Sequence, residues 1–265
     1  VRIHNTNTRK IIVSRFPVED GLAAVEGDLV LDGVAGSGAP IRLEFQDPGG
    51  ARTGKLLPTG NPADTLEVAG VGPVTMSMVD AANPCVFVSA SALGLTGTEL
   101  PDALERDKDV LARLEAIRCH ASVVMGLAAS LEAAAGVLSA PKVAMIAAAT
   151  DAPTLSGRTL AASEADILVR MISIGQPHRA VPLTGALCLA AACRVPGTVA
   201  FDLLRESARS GPLRIGHPSG VVLVDAETEP APDGVHVRHA TVYRTARRLF
   251  TGEVYYRAPL RQAAE

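Results

Sequence analysis

The chain has 265 residues, 48% of them hydrophobic and 20% charged, enough apolar material for one large domain or two small ones and too much for a disordered chain. With 25 basic and 28 acidic residues, a formal net charge of −3, no basic excess marks a dedicated nucleic-acid surface. Aromatic residues at 3%, with no Trp, argue against a base-stacking platform as well.

The first third reads as strands, at 10–16, 28–31 and 41–45, separated by Gly-rich turns at 33–38 and 48–54. No helical pattern precedes Pro101, so residues 1–68 read as part of a unit whose packing partner is not evident in the chain. Strands are predicted next at 71–79 and 85–89, joined by Asp80-Ala-Ala-Asn-Pro84. A helix is predicted over 101–127, with Val110, Leu111, Leu114, Ile117, Ala121 and Val124 on its buried face. Glu105, Arg106, Asp107, Lys108, Arg113 and Glu115 form its solvated face. Ser130 caps a short helix, 142–149 and 167–174 read as strands, and 150–163 reads as a polar loop.

Residues 186–194 are apolar on every side, which predicts a helix buried all round, wrapped by strands and stopped by Pro196-Gly197. The apolar run 181–193 is too short for a membrane span and is interrupted by Pro182 and Gly185. Further strands are expected at 213–217, 221–224, 235–245 and 248–257, with 225–233 as a surface turn. Residues 1–17 lack the continuous apolar core of a signal peptide. Cys85, Cys119, Cys188 and Cys193 are irregularly spaced, which suits a reduced, cytoplasmic setting and no metal site.

Three spots carry candidate chemistry. Thr184 and Gly185 open the buried helix, where unpaired backbone N–H groups and a partial positive charge can hold an anion, and His178 and Arg179 lie just upstream. The other reading makes Thr184 an ordinary helix cap and His178 a loop residue. His217-Pro-Ser219-Gly220 is either a ligand-facing turn or a plain strand-end turn. Thr59-Gly60-Asn61 can form an anion-binding nest or a turn, and Asn83 a ligand contact or an Asx turn. His236 and His239, three apart on a strand, are expected on opposite faces. No dinucleotide loop, P-loop or HExxH motif is present.

In order along the chain stand Val1-Arg-Ile-His-Asn-Thr-Asn-Thr8, Leu57-Pro-Thr-Gly-Asn61, Asn83-Pro-Cys-Val-Phe-Val88, Gly94-Leu-Thr-Gly-Thr-Glu-Leu100, Pro141-Lys-Val143 and Leu168-Val-Arg170. His178 with Thr184-Gly185, Val195-Pro-Gly-Thr198 and Gly216-His-Pro-Ser-Gly220 complete the set. The sequence thereby resembles the PrpF family of 2-methylaconitate and aconitate isomerases, methylitaconate isomerases and 4-oxalomesaconate tautomerases. The resemblance implies an α+β, diaminopimelate-epimerase-like, two-lobed fold. Each lobe would be a strongly curved, mostly antiparallel sheet around a central helix, with the site in the cleft between them.

On that basis residues 1–68 are expected to be the remainder of an N-terminal lobe, incomplete here. Residues 69–245 would form the C-terminal lobe with its buried helix at 185–194, and 246–265 a strand returning to the N-terminal lobe. The family's Arg-Gly-Gly-Thr-Ser-Lys and Gly-Asn-Cys-Gly-Asn stretches have no counterpart in this sequence. The catalytic Lys and Cys are therefore expected in a segment upstream of Val1. The implied chemistry is a cofactor-independent allylic proton shift in a small unsaturated di- or tricarboxylate, with no metal. Thr184 and Gly185 would bind a carboxylate, with Ser219 and His217 on the opposite wall and His178, Asn83, Thr59 and Gly60 in lesser roles. Pro182 stands where related epimerases carry a second Cys, which disfavours a two-cysteine epimerase. The other reading is a catalytically incomplete fragment that binds carboxylates or a partner subunit. No nucleic-acid or membrane partner is expected, and a homodimer is left open.

Overall fold

The computed structural model describes residues 1–232 and 234–255. Eleven strands make one continuous sheet: β1 (Arg2–Asn5), β2 (Lys10–Arg15), β3 (Ile41–Gln46), β4 (Asp64–Val68), β5 (Gly72–Ala81), β6 (Asn83–Ser89), β7 (Lys142–Ala148), β8 (Ile167–Ser173), β9 (Leu213–His217), β10 (Gly220–Ala231) and β11 (Gly234–Arg244). Their spatial order is β1-β2-β3-β11-β10-β9-β8-β7-β6-β5-β4, with a two-residue strand, Gln176–Pro177, paired to β8. Among the described residues only β6–β7 and β8–β9 are parallel.

Among the described residues five α-helices accompany the sheet: α1 (Pro101–Arg106), α2 (Lys108–Val124), α3 (Leu131–Gly136), α4 (Leu183–Ala192) and α5 (Val199–Leu203). Helix α4 is the apolar helix that the sequence marks as buried. It touches β5 and β6 on one side and β10 and β11 on the other. Those pairs are separated in the sheet by β9, β8 and β7, so the sheet must curl round the helix. The α+β class and the curved sheet round a central helix are as the sequence implies.

Strand alternation explains why the central strands read as continuous apolar runs. Cys85 and Phe87 of β6, and Ala144 and Ile146 of β7, face α4. Val86, Val88, Val143 and Met145, from the same strands, face α2 on the outer surface. Both faces are dry, so every position favours an apolar side chain. Leu43 and Phe45 of β3 pack on the α4 core, and β3 pairs with β11, which joins the first 46 residues to the sheet around α4. The expected division at 68/69 coincides with the turn of the β4–β5 hairpin.

Several sequence expectations are corrected. The long helix over 101–127 is broken at Asp107, whose carboxylate accepts the Val110 N–H at 3.0 Å and caps α2 instead of lying on its solvated face. Val124, expected in the core, is 44% exposed at the end of that helix. Strand β10 runs on through 225–231, because Val222, Val224 and Ala226 keep facing α4 while Glu227 and Glu229 pair outward with Arg238. A bulge opposite Glu227/Thr228 leaves Arg238 unpaired in β11 and turns both Val237 and Ala240 inward. His236 and His239 consequently share the outer face. The strand expected at 248–257 is absent over 248–255, where Leu249, Phe250, Val254 and Tyr255 are at least 81% exposed and no sheet edge receives them. Its last two residues, and the rest of 256–265, lie outside the described residues.

Leu187 and Leu189 of α4 are fully buried. Leu189→Ala should cost about 2–5 kcal/mol in chemical denaturation through lost transfer energy and a cavity. Val124→Ala should stay within about 0.5 kcal/mol. Equal costs at the two positions would contradict the packing described.

Candidate active site

Helix α4 begins three residues earlier than its apolar run. Pro182 takes the N-cap position, and the first intrahelical bond is from the Ala186 N–H to the Pro182 carbonyl. The amides of Leu183, Thr184 and Gly185 therefore have no acceptor within the helix. Thr184 sits inside the first turn and makes no capping bond, so the reading of it as the cap is not what forms. A Cβ on Gly185 would stand 2.5 Å from the Met171 sulfur. Its small size admits the β8 side chain.

Met171 ties this helix end to His178, whose backbone N–H donates to the Met171 carbonyl at 2.9 Å. The His178 Nε2 is buried and has no hydrogen-bond partner among the described residues. Burial, and then nearby Lys142, hold this imidazole below its ordinary pKa. Lys142 itself donates to the Ser173 hydroxyl at 2.7 Å.

The second wall is the turn between β9 and β10. His217 is only 4% exposed, and its Nδ1 accepts the Ser219 N–H at 3.2 Å. The Ser219 hydroxyl donates to the Arg179 carbonyl at 2.8 Å, fastening this turn to the segment that leads into α4. A cavity of about 170 Å³ opens beside them, lined by His217, Ala180, Val181, Arg244 and the turn bearing Asp32. The structure thus brings His178, Thr184, Gly185, His217 and Ser219 to one end of α4.

The remaining candidates lie elsewhere. The Thr59 hydroxyl donates to Asp64 at 2.7 Å, and Gly60 forms an exposed turn with φ +84°. Pro62 of that loop faces Gly197, beyond the C-terminal end of α4. Ten residues of helix, about 15 Å, separate it from Thr184. Asn83 donates to the Pro84 carbonyl at 3.3 Å and borders a different cleft with Asn5, Asn7, Thr8 and Arg52.

Two residues at the cavity escape the sequence reading. Arg244 ends β11, is lowered in pKa by burial, and donates a hydrogen bond to the Tyr243 carbonyl at 3.1 Å. It forms no ion pair among the described residues. Asp32 accepts the Val221 N–H at 2.7 Å, from a turn more than 180 residues away in sequence. Arg244 ends its strand as many surface arginines do, so no local signal marks it. Asp32 has only its Asp-Gly turn. The four cysteines are buried free thiols, and burial pushes Cys193 up to about 12 and Cys188 well above the usual thiol value. Neither Cys188 nor Cys193 is poised as a thiolate. Among the described residues no group of three or more His, Cys, Asp and Glu side chains could hold a metal ion, and no helix is long and apolar enough to cross a membrane.

The first three amides of α4, the buried His178 Nε2 and the cavity shared by His217 and Arg244 belong to an α+β fold whose sheet curls round that helix. The family model described as PrpF protein matches residues 1–257, and the chain belongs to that family. It is 40% identical over 257 residues to 3-methylitaconate isomerase of Eubacterium barkeri, covering 96% of this chain and 66% of that protein. It is 38% identical to 2-methyl-aconitate isomerase of Cupriavidus necator, covering 96% and 65%. The crystal structure of a methylitaconate-delta-isomerase superposes with a TM-score of 0.86 at 39% identity, over 96% of this chain and 65% of that one. The chain thus spans a little under two thirds of the length of these relatives.

Two outcomes follow from the geometry. Gly220, at φ +134°, has the Asp32 carboxylate where a Cβ would be. Gly220→Ala should therefore destabilise the fold by more than about 1 kcal/mol, and Asp32→Ala should recover part of that loss in a double-mutant cycle. Burial chiefly, with Arg170 and Arg244, pushes the His217 pKa down to about 4, against the opposing pull of Asp32. Its folded value is lower than its unfolded one, so the unfolded chain takes up a proton first as pH falls. Stability should be full above about pH 6.5 and decline towards pH 4, by up to about 3 kcal/mol for this group. His217→Gln should flatten that decline in urea titrations across the same window.

Proposed function

We propose that the protein to which this chain belongs is a cofactor-independent isomerase. It would move a proton across an allylic system in a small unsaturated di- or tricarboxylate such as 2-methylaconitate. The observation that carries this reading is the gathering, at one end of α4, of three unpaired helix amides, His178 and the His217–Arg244 cavity. The names of the similar proteins support it.

The chemistry asks for this arrangement. Removing a proton from carbon beside a conjugated carboxylate leaves a carbanion whose charge spreads onto the carboxylate oxygens. The proton then returns at the far end of the alkene. Fixed donors aimed at those oxygens stabilise the charge without reorganising. The Leu183, Thr184 and Gly185 amides would take one carboxylate, and neutral imidazoles add donors without competing for the proton. In this reading the acid and base are a Lys and a Cys from a lobe outside these 265 residues, and 69–245 is the carboxylate-binding lobe. The four unpaired thiols favour the cytoplasm as its site of action.

Incubation of the full-length protein with trans-aconitate, 2-methylaconitate, methylitaconate and oxalomesaconate in D2O, followed by proton NMR, tests the reading. Isomer formation with deuterium uptake is expected for at least one acid. Uptake with none of them removes the isomerase reading, and binding without turnover would favour a carboxylate-binding role.

A further inference from the structure

The His217 cavity holds the volume of about five or six waters and lies below the roughly 300 Å³ of common small-molecule pockets. It has room for one arm of a ligand and not for a whole tricarboxylate. Its polar wall is specific. His217 is almost wholly buried, and its Nδ1 is occupied as an acceptor by the Ser219 N–H. A neutral imidazole in that bond carries its proton on Nε2. That nitrogen has no hydrogen-bond partner among the described residues. Arg244 stands on the same cavity, half-buried and without a carboxylate partner among the described residues. Across from them Asp32 is held by the Val221 amide.

We propose that His217, fixed as its Nε2–H tautomer by the Ser219 amide, and Arg244 together bind a second carboxylate arm of the substrate, apart from the carboxylate held at the start of α4. The assignment rests on the isomerase reading for the word substrate, and on the cavity alone for the carboxylate. A guanidinium and an imidazole N–H supply donors of the kind that carboxylate oxygens accept, in a small space beside the almost wholly buried His217 ring. Asp32 is the positioning residue. It anchors the 31–34 turn that closes the cavity, and its charge offsets part of that of Arg244. The charged groups that bear on His217 are Asp32, Arg170 and Arg244. Two cations against one carboxylate, together with burial, keep the ring neutral, so it donates one proton to the arm and carries no charge of its own. The pair would thereby select acids with an additional carboxylate arm over those without one.

The test uses the full-length protein and two probes, tricarballylate with three carboxylates and butyrate with one, titrated by calorimetry. Arg244→Gln should weaken tricarballylate by about 10- to 100-fold, the range of a hydrogen bond to a charged group, and leave butyrate within about twofold. Asp32→Asn keeps an acceptor for the Val221 amide and removes the charge, so it should tighten tricarballylate. The 15N shifts of the His217 ring, assigned with His217→Gln, should show a protonated Nε2 and a bare Nδ1 from pH 8 down to about 5. Equal loss of both probes in Arg244→Gln, no binding of tricarballylate by the wild type, or an Nδ1–H ring would each overturn the assignment. Those results are separable from the reaction itself. Deuterium uptake with an unchanged Arg244→Gln affinity would retain the isomerase and discard this pocket. The weakened affinity without any uptake would do the reverse.

Discussion

Everything in this fold depends on one helix that has no polar face. Helix α4 presents Ala, Leu and Cys all round, and nearly every one of its side chains is out of contact with water. A helix of that composition is stable only when covered on every side. A flat sheet covers one side. The sheet must therefore curl until β5 and β6 meet the helix from one direction and β10 and β11 from the other. The bulge at Arg238 belongs to the same requirement, because it bends β11 and resets which residues face inward.

The same constraint creates the site. A buried helix still ends with amides that lack intrahelical acceptors, and those ends must reach a polar environment or a ligand. At the C-terminal end of α4 the structure supplies its own acceptors and donors: the Thr198 hydroxyl donates to the Ala192 carbonyl at 2.7 Å, and Pro62 closes over Gly197. At the N-terminal end no side chain caps the helix. Arg244 and the almost wholly buried His217 ring share a cavity near this end. An uncapped N-terminus is a poor way to finish a helix, and in the proposed function it is the place for a carboxylate. The mechanical support comes from chain segments distant in sequence, through the Ser219 bond to Arg179 and the Asp32 bond to Val221.

The candidate residues divide according to how local their signals are. His178, Thr184, Gly185, His217 and Ser219 sit in short motifs beside a strand end or helix start, and the fold brings those ends together. Thr59 and Gly60 carry the same kind of motif, but Asp64 satisfies it within five residues and makes it a turn. Asn83 is likewise occupied by its neighbour's carbonyl. A Thr-Gly-Asn sequence looks the same whether its polar groups are spent locally or left for a ligand. Arg244 and Asp32 show the converse, since nothing around them in sequence announces the cavity they share.

What the sequence determined by itself are the features set by short-range periodicity and by ordered motifs. These are the strands buried on both faces, the apolar helix after Pro182, the capped helix at Ser130 and membership in a family. What only the tertiary structure decided is which ends of these elements meet. It started α4 at Leu183, broke the long helix at Asp107, placed His236 and His239 on one face, and set Arg244 beside His217. Periodicity records which face of an element is dry. It carries no record of the curl of the sheet, which arises from covering one helix with many strands, and it is that curl that chooses the neighbours of the site.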